Sequence, residues 1–171
     1  LDKLYSASGS KAKRIVCTQG VVPSSMGDNA HEIDPHAWQD VSNVIIYTKN
    51  VRDALIEIDQ GNKGRYEANA QKYIQQLESL DAWIKLQVAT IPEAKRKLIT
   101  NHDALGYFAR RYGFKIVGAA IPSATTEAGD PSAKQTAQLL NIIKSSGVKA
   151  VFSEHMASAK LVQSLSKEAG V

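Results

Sequence analysis

The stretch KLITNHDALGYFARRYGFKIVGAA, residues 97–120, decides the fold. KLITN (97–101) and KIVGAA (115–120) are short apolar runs that read as strands, and the segment between them, 104–112, reads as a helix. The same rhythm continues downstream. Helical stretches at 131–146 and 157–169 flank a third apolar run, KAVFSE (149–154). Strands alternating with helices predict an α/β architecture of parallel strands under covering helices, with ligands beyond the carboxyl ends of the strands. His102 falls just past the end of the first of these strands.

Upstream of Pro92 the pattern lengthens. Tyr66, Tyr73, Ile74, Leu77, Leu80, Ile84 and Val88 recur along one face, with Glu67, Lys72, Gln75, Glu78 and Lys85 elsewhere, which predicts a one-sided helix over 65–92. At about 1.5 Å per residue it runs nearly 40 Å, long enough to act as a rigid strut between two lobes or as a plain packing helix. DQGNKG separates it from an earlier amphipathic helix over Ala37–Ile58. Asp34 followed by Pro35 suits an N-cap and a first helical position for that earlier helix. Residues 14–22, RIVCTQGVV, read as a strand with Cys17 buried in it, and 23–36 as an exposed loop. The expected fold is therefore two lobes of parallel sheet with covering helices joined by a long rigid helix. Residues 1–64 would form the end of an N-terminal lobe, 65–92 the connecting helix and 93–171 the first part of a C-terminal lobe. The chain opens in a helix-like pattern without a cap and stops where a helix and glycine should hand over to a strand, so it is expected to be truncated at both ends.

Composition narrows the function. The 171 residues carry 21 basic and 17 acidic side chains in mixed order, with no basic arm or stripe, which argues against a nucleic-acid partner. A single cysteine cannot form an internal disulfide. No segment approaches the roughly 18 to 20 apolar residues of a membrane span, and no apolar leader opens the chain, so a soluble piece, mature or trimmed, is expected.

Four histidines can be weighed singly. His36, in EIDPHAWQD (32–40), sits at a loop-to-helix junction, and His102 at a strand end, so each lies at a ligand-binding edge of its expected lobe. Neutral imidazole is a good zinc ligand and an acceptable manganese ligand once its other ring nitrogen is fixed by an acceptor. Asp34 and Asp103 stand near the two rings in sequence. Capping or surface roles are the ordinary alternative for each. His31 is expected to be solvated. Glu154, with His155 beside it, shares the strand-end location of His102; it would cap the following helix, stand behind a metal, or lend it an oxygen.

DPHAW before a long helix, then NHDALGYFARRYG, then AVFSEHMASAKLVQSLSKEAGV, resembles the metal-binding solute-binding proteins of bacterial zinc and manganese ABC importers, a family that includes adhesin-type lipoproteins. The resemblance covers almost the whole chain in order. It implies that His36 is the ligand of the DPHxW motif and that His102 stands where zinc-type and mixed members carry histidine and manganese-type adhesins carry glutamate. It also implies two further ligands, an early histidine and a late aspartate, whose motifs this chain lacks. The implied protein is periplasmic or lipid-anchored at the surface and monomeric. It takes Zn2+, alternatively Mn2+, between two lobes and delivers the ion to a membrane permease. Imidazoles bind metal deprotonated, so capture should weaken below about pH 6.5.

Two other classes remain. A metal-dependent hydrolase would use the same histidines, but HExxH, G-x-S-x-G and phosphate-loop motifs are absent. An adhesion or interaction module would use them only as caps.

Overall fold

The computed structural model describes residues 2–26, 29–121, 132–153 and 160–171. The architecture is α/β. Its anchor is β3 (Lys97–His102), paired in parallel with β4 (Lys115–Ile121) through the helix α4 (Gly106–Tyr112). Leu98, Ile99 and Thr100 are bulky or branched and suit a strand covered on both faces. Ile99 is fully buried, at 0% exposure.

On its other edge β3 meets Phe152. Thr100 bridges Phe152 in parallel, with Asn101 N–H donating to Phe152 O at 3.0 Å and Phe152 N–H to Ile99 O at 2.8 Å. The strand expected over 149–154 is thus a single bridge position among the described residues. β3 is nevertheless central, with a neighbour on each side. Helices α5 (Ala133–Ser146) and α6 (Lys160–Ala169) cover this sheet, and Leu139, Ile143 and Leu165 pack onto Ile99 and Ala120. Ser132 starts α5 with a capping box: its hydroxyl accepts from Gln135 N–H while the Gln135 side chain accepts from Ser132 N–H. Gly118 lets α5 approach β4, since a Cβ there would lie 2.9 Å from Leu139 Cδ1.

The two long helices are α2 (Val41–Ile58) and the 27-residue α3 (Lys63–Ala89). Val41 of α2, Leu77 and Val88 of α3 and Tyr112 of α4 form a second core, so the long helix packs against both the segment that follows His36 and the helix that follows His102. Its inward stripe is Ala70, Ile74, Leu77 and Val88. Tyr73 and Leu80, expected on that stripe, are exposed, as are Trp83 and Leu86.

The N-terminal third departs from its expected reading. Residues 14–22 form no strand. A strand persists only when a neighbour takes its backbone groups, and here the side-chain amide of Asn50 on α2 takes the carbonyls of Cys17 and Gln19 at 2.7 and 2.9 Å. Val16 and Val22 are exposed and Cys17 only half-buried. Within the expected loop 23–36, β1 (Ser25–Met26) and β2 (Asn29–Ile33) pair antiparallel. A six-residue helix, α1 (Asp2–Ala7), opens the chain.

The helix start also moves. A 3-10 turn over Ala37–Gln39 comes first, and Asp40 then caps α2, its Oδ1 accepting from Ser42 N–H at 2.8 Å. Asp34 is not the cap, because its carboxylate is engaged by His36. Among the described residues no helix is long and apolar enough to cross a membrane.

Candidate functional site

His36 and His102, 66 residues apart in the chain, meet in space. Their Nε2 atoms are 3.4 Å apart and the rings cross edge-to-face, with centroids 5.2 Å apart. Both are buried, at 6% and 4% exposure. Glu154 and His155 lie outside the described residues; so does the side chain of His31, whose backbone is part of β2.

Each ring is delivered by a different local device. His102 is the last residue of β3, in register with Ile121, and therefore stands at the carboxyl end of the central strand. Thr100 Oγ1 donates to the His102 carbonyl at 2.7 Å and Ala104 N–H donates to the same carbonyl at 3.0 Å, turning the chain sharply as the strand ends. His36 precedes the 3-10 turn. Asn43, buried on α2, donates from its amide to Ala37 O at 2.9 Å and holds that turn against the helix.

Asp34 fixes the His36 ring. Its Oδ1 accepts from His36 N–H at 2.9 Å and from Nδ1 at 2.7 Å, with the carboxylate 4% exposed. An ionised carboxylate only accepts, so the proton sits on Nδ1 and the Nε2 lone pair points outward toward His102. Trp38 packs edge-on against the other side of the ring, centroids 5.4 Å apart. Asp34 is itself held by its N–H donating to Ser24 O at 2.8 Å, and Ser24 N–H donates to the hydroxyl of Tyr107 on α4 at 2.8 Å.

Gly106 is the site residue that the sequence reading passed over. A Cβ at this position would lie 2.6 Å from Asp34 Oδ2, so the first residue of α4 must lack a side chain for the carboxylate to sit where it does. A signal existed in the motif: glycine opens a helix in HDALGYF although it is a poor helix former. Asp103, half-buried beside His102, also belongs here. Burial pushes its carboxyl above the ordinary range, the Asp34 charge adds to this, and His36 and His102 oppose it.

The arrangement is chemically specific. At 3.4 Å the two nitrogens are farther apart than the usual 2.7–3.2 Å of an N–H hydrogen bond. Two nitrogens bound at roughly 2.0–2.1 Å to one tetrahedral zinc stand about 3.3–3.4 Å apart. The rings are spaced as two corners of such a tetrahedron. Among the described residues no group of three or more histidine, cysteine, aspartate or glutamate side chains is placed to hold a metal, and the two imidazoles stand as a pair.

Comparison with known proteins shows the family. The family described as zinc-uptake complex component A, periplasmic, matches residues 1–171. The chain is 38% identical over 139 residues to the manganese-binding lipoprotein MntA of Halalkalibacterium halodurans, covering 81% of this chain and 45% of that protein. It is 35% identical over 157 residues to the iron-binding protein YfeA of Yersinia pestis, covering 91% of this chain and 50% of that one. The chain thus spans about half the length of these curated relatives. Among solved structures, the Mn-bound periplasmic metal binding protein from Candidatus Liberibacter asiaticus superposes with a TM-score of 0.79 at 25% identity, covering 99% of this chain and 63% of that one. A crystal structure of ZnuA gives 0.79 at 29% identity, covering 92% of this chain and 58% of that chain.

Proposed function

The chain belongs to the family of periplasmic zinc-uptake complex component A proteins, and from that premise we propose that it forms the part of a solute-binding protein in which His36 Nε2 and His102 Nε2 capture a divalent metal ion. The observation that carries the reading is the 3.4 Å spacing of two buried imidazole nitrogens, one with its tautomer set by Asp34. Both donors are nitrogen, which favours zinc; manganese, which takes more oxygen, is the alternative. The ion is cargo, held by chelation without turnover. The remaining coordination positions would be filled by donors outside this pair or by water.

The protein works outside the cytoplasmic membrane, in the periplasm or anchored at the surface, and passes its ion to an ABC permease. In this reading α3 is the strut between a lobe ending near residue 64 and another beginning near residue 93, and the two histidines close on the ion from opposite lobes. Relatives named for manganese, iron and zinc support a divalent metal as cargo.

Calorimetric titration with Zn2+ and Mn2+ tests this. The wild-type protein should bind zinc with measurable heat, and His36→Ala and His102→Ala should each weaken binding by at least about tenfold. An unchanged isotherm in the double variant would show that neither ring is a ligand.

A further inference from the structure

Arg111 stands where the two histidine-bearing segments cross. Asp40 follows His36 by four residues and caps α2, and its Oδ1 lies 3.2 Å from Arg111 Nε. Arg111 is on α4, whose first residue follows His102 by four. The same Nε donates to Asp81 Oδ1 on α3 at 2.8 Å, an oxygen that also accepts from Tyr112 OH at 2.9 Å, while Lys85 Nζ lies 2.6 Å from Asp81 Oδ2. One guanidinium therefore joins the turn after His36, the helix after His102 and the long helix.

We propose that Arg111 is a positioning residue for metal capture, holding the His36 turn and α4 at the separation that puts the two Nε2 atoms on one ion. This rests on the reading of His36 and His102 as metal donors. Among the described residues the ion-pair partners of Arg111 are Asp40 and Asp81 rather than either imidazole, so it acts through position.

Three features make the clasp more than a surface ion pair. The side chains of Arg111, Asp40 and Asp81 are only 23%, 13% and 13% exposed, so solvent screens them weakly. Asp40 is bound twice over, by the cap to Ser42 and by the guanidinium, so a shift of Arg111 is passed to the first turn of α2. Both carboxylates lie within 3.2 Å of the same nitrogen, and without it they face one another as like charges. Consistent with this, Arg111 holds the Asp81 carboxyl far below the usual carboxylate range, and Asp81 in turn raises Arg111.

The test uses the protein as expressed from its own gene, with Arg111→Met, Arg111→Lys, Asp40→Asn, and the Asp40→Asn/Arg111→Met pair. Asparagine is as good a helix cap as aspartate, so Asp40→Asn removes the charge and keeps α2 started; it carries the test even where Arg111→Met folds poorly. Zinc affinity is read by calorimetry, the geometry at the metal by the visible absorption of bound Co2+, and folding by thermal melting. Arg111→Met and Asp40→Asn should each lower zinc affinity about tenfold, the pair no more than either alone, with an altered Co2+ band. Arg111→Lys should recover melting more than affinity, because an ammonium on a flexible stem keeps the charge between the two carboxylates without fixing their geometry as the rigid guanidinium does.

Variants that melt lower yet keep wild-type affinity and the same Co2+ spectrum would reduce Arg111 to a helix staple and overturn the inference alone. A Co2+ spectrum unchanged by His36→Ala and His102→Ala would overturn the functional reading, and this inference with it.

Discussion

Replacing Gly106 by alanine tests the site through a contact that involves neither ring. The new Cβ would lie 2.6 Å from Asp34 Oδ2 and 3.8 Å from its Cγ. Comfortable van der Waals contact requires the carboxylate to retreat by on the order of half an ångström or more. It has little room, being 4% exposed and bound through Oδ1 to both His36 N–H and Nδ1. Hydrogen bonds to a charged group contribute about 1.5–3 kcal/mol each. Weakening both, less up to about 1 kcal/mol that alanine gains over glycine in a helix, leaves a net destabilisation of roughly 1–2 kcal/mol. The lost orientation of His36 should cost about 10- to 100-fold in metal affinity. Urea unfolding measures the first effect and zinc calorimetry the second. Gly64→Ala is the control: it lies in the first turn of α3, and a Cβ there meets nothing within 4 Å, so it should be neutral or mildly stabilising. A Gly106→Ala protein indistinguishable from Gly64→Ala in both measurements would refute the claim that Asp34 is wedged against α4.

Two further expectations concern the scaffold. Gly118→Ala would place a Cβ 2.9 Å from Leu139 Cδ1 and 3.6 Å from Ile142 Cγ2, so overpacking should lower unfolding stability by about 1–3 kcal/mol, and in Gly118→Ala/Leu139→Ala the combined loss should be less than the sum of the single losses; no loss in Gly118→Ala would mean α5 moves away freely. Asp81 has its folded-state pKa depressed by the hydrogen bond from Arg111 and those from Lys85 and Tyr112. Its contribution is therefore complete above the unfolded carboxylate range near 4 and is lost as pH falls through and below that range. The stability gap between wild type and Asp81→Asn should accordingly be constant from about pH 5 to 7 and shrink on acidification, and a gap that does not change down to pH 2 would contradict the ion cluster.

The parts of the molecule legible in the sequence are those whose signal is local. β3, α4 and β4 stand within a residue or two of their expected bounds because each apolar run is short, bounded and buried on its own account. The segment 14–22 carries the same kind of apolar run, yet strandedness depends on a partner, and its carbonyls are taken by Asn50 instead. Asp34 reads as the cap of the helix that follows, and only the fold shows that His36 already occupies it while Asp40 caps α2. The meeting of the two histidines is what the family resemblance implies, whereas their edge positions alone leave capping roles open. The requirement for glycine at 106 is not legible, since it depends on a carboxylate 72 residues earlier in the chain. The same holds for Arg111, which in the sequence is one basic residue of a pair in the last turn of a short helix.

The two carboxylate contacts act on the histidines in complementary ways. Asp34 sets the rotation and tautomer of one ring, whereas Arg111, through Asp40 and α4, sets the distance between the segments that carry both. With the Nε2 atoms already at 3.4 Å, the proposed capture would need little movement of the protein, so the ordering cost that usually subtracts from binding would be small. An ion bound there would cross-link positions 66 residues apart, and at a free concentration a hundred times its dissociation constant it would add about 2.7 kcal/mol to unfolding stability. Loosening either contact leaves the donors unchanged and restores that cost. Variants at Gly106, Asp40 and Arg111 should therefore lose the metal-induced rise in melting temperature in proportion to their loss of affinity, whereas a change confined to the β4 and α5 packing, such as Gly118→Ala, should lower the melting temperature of metal-free and metal-bound protein alike.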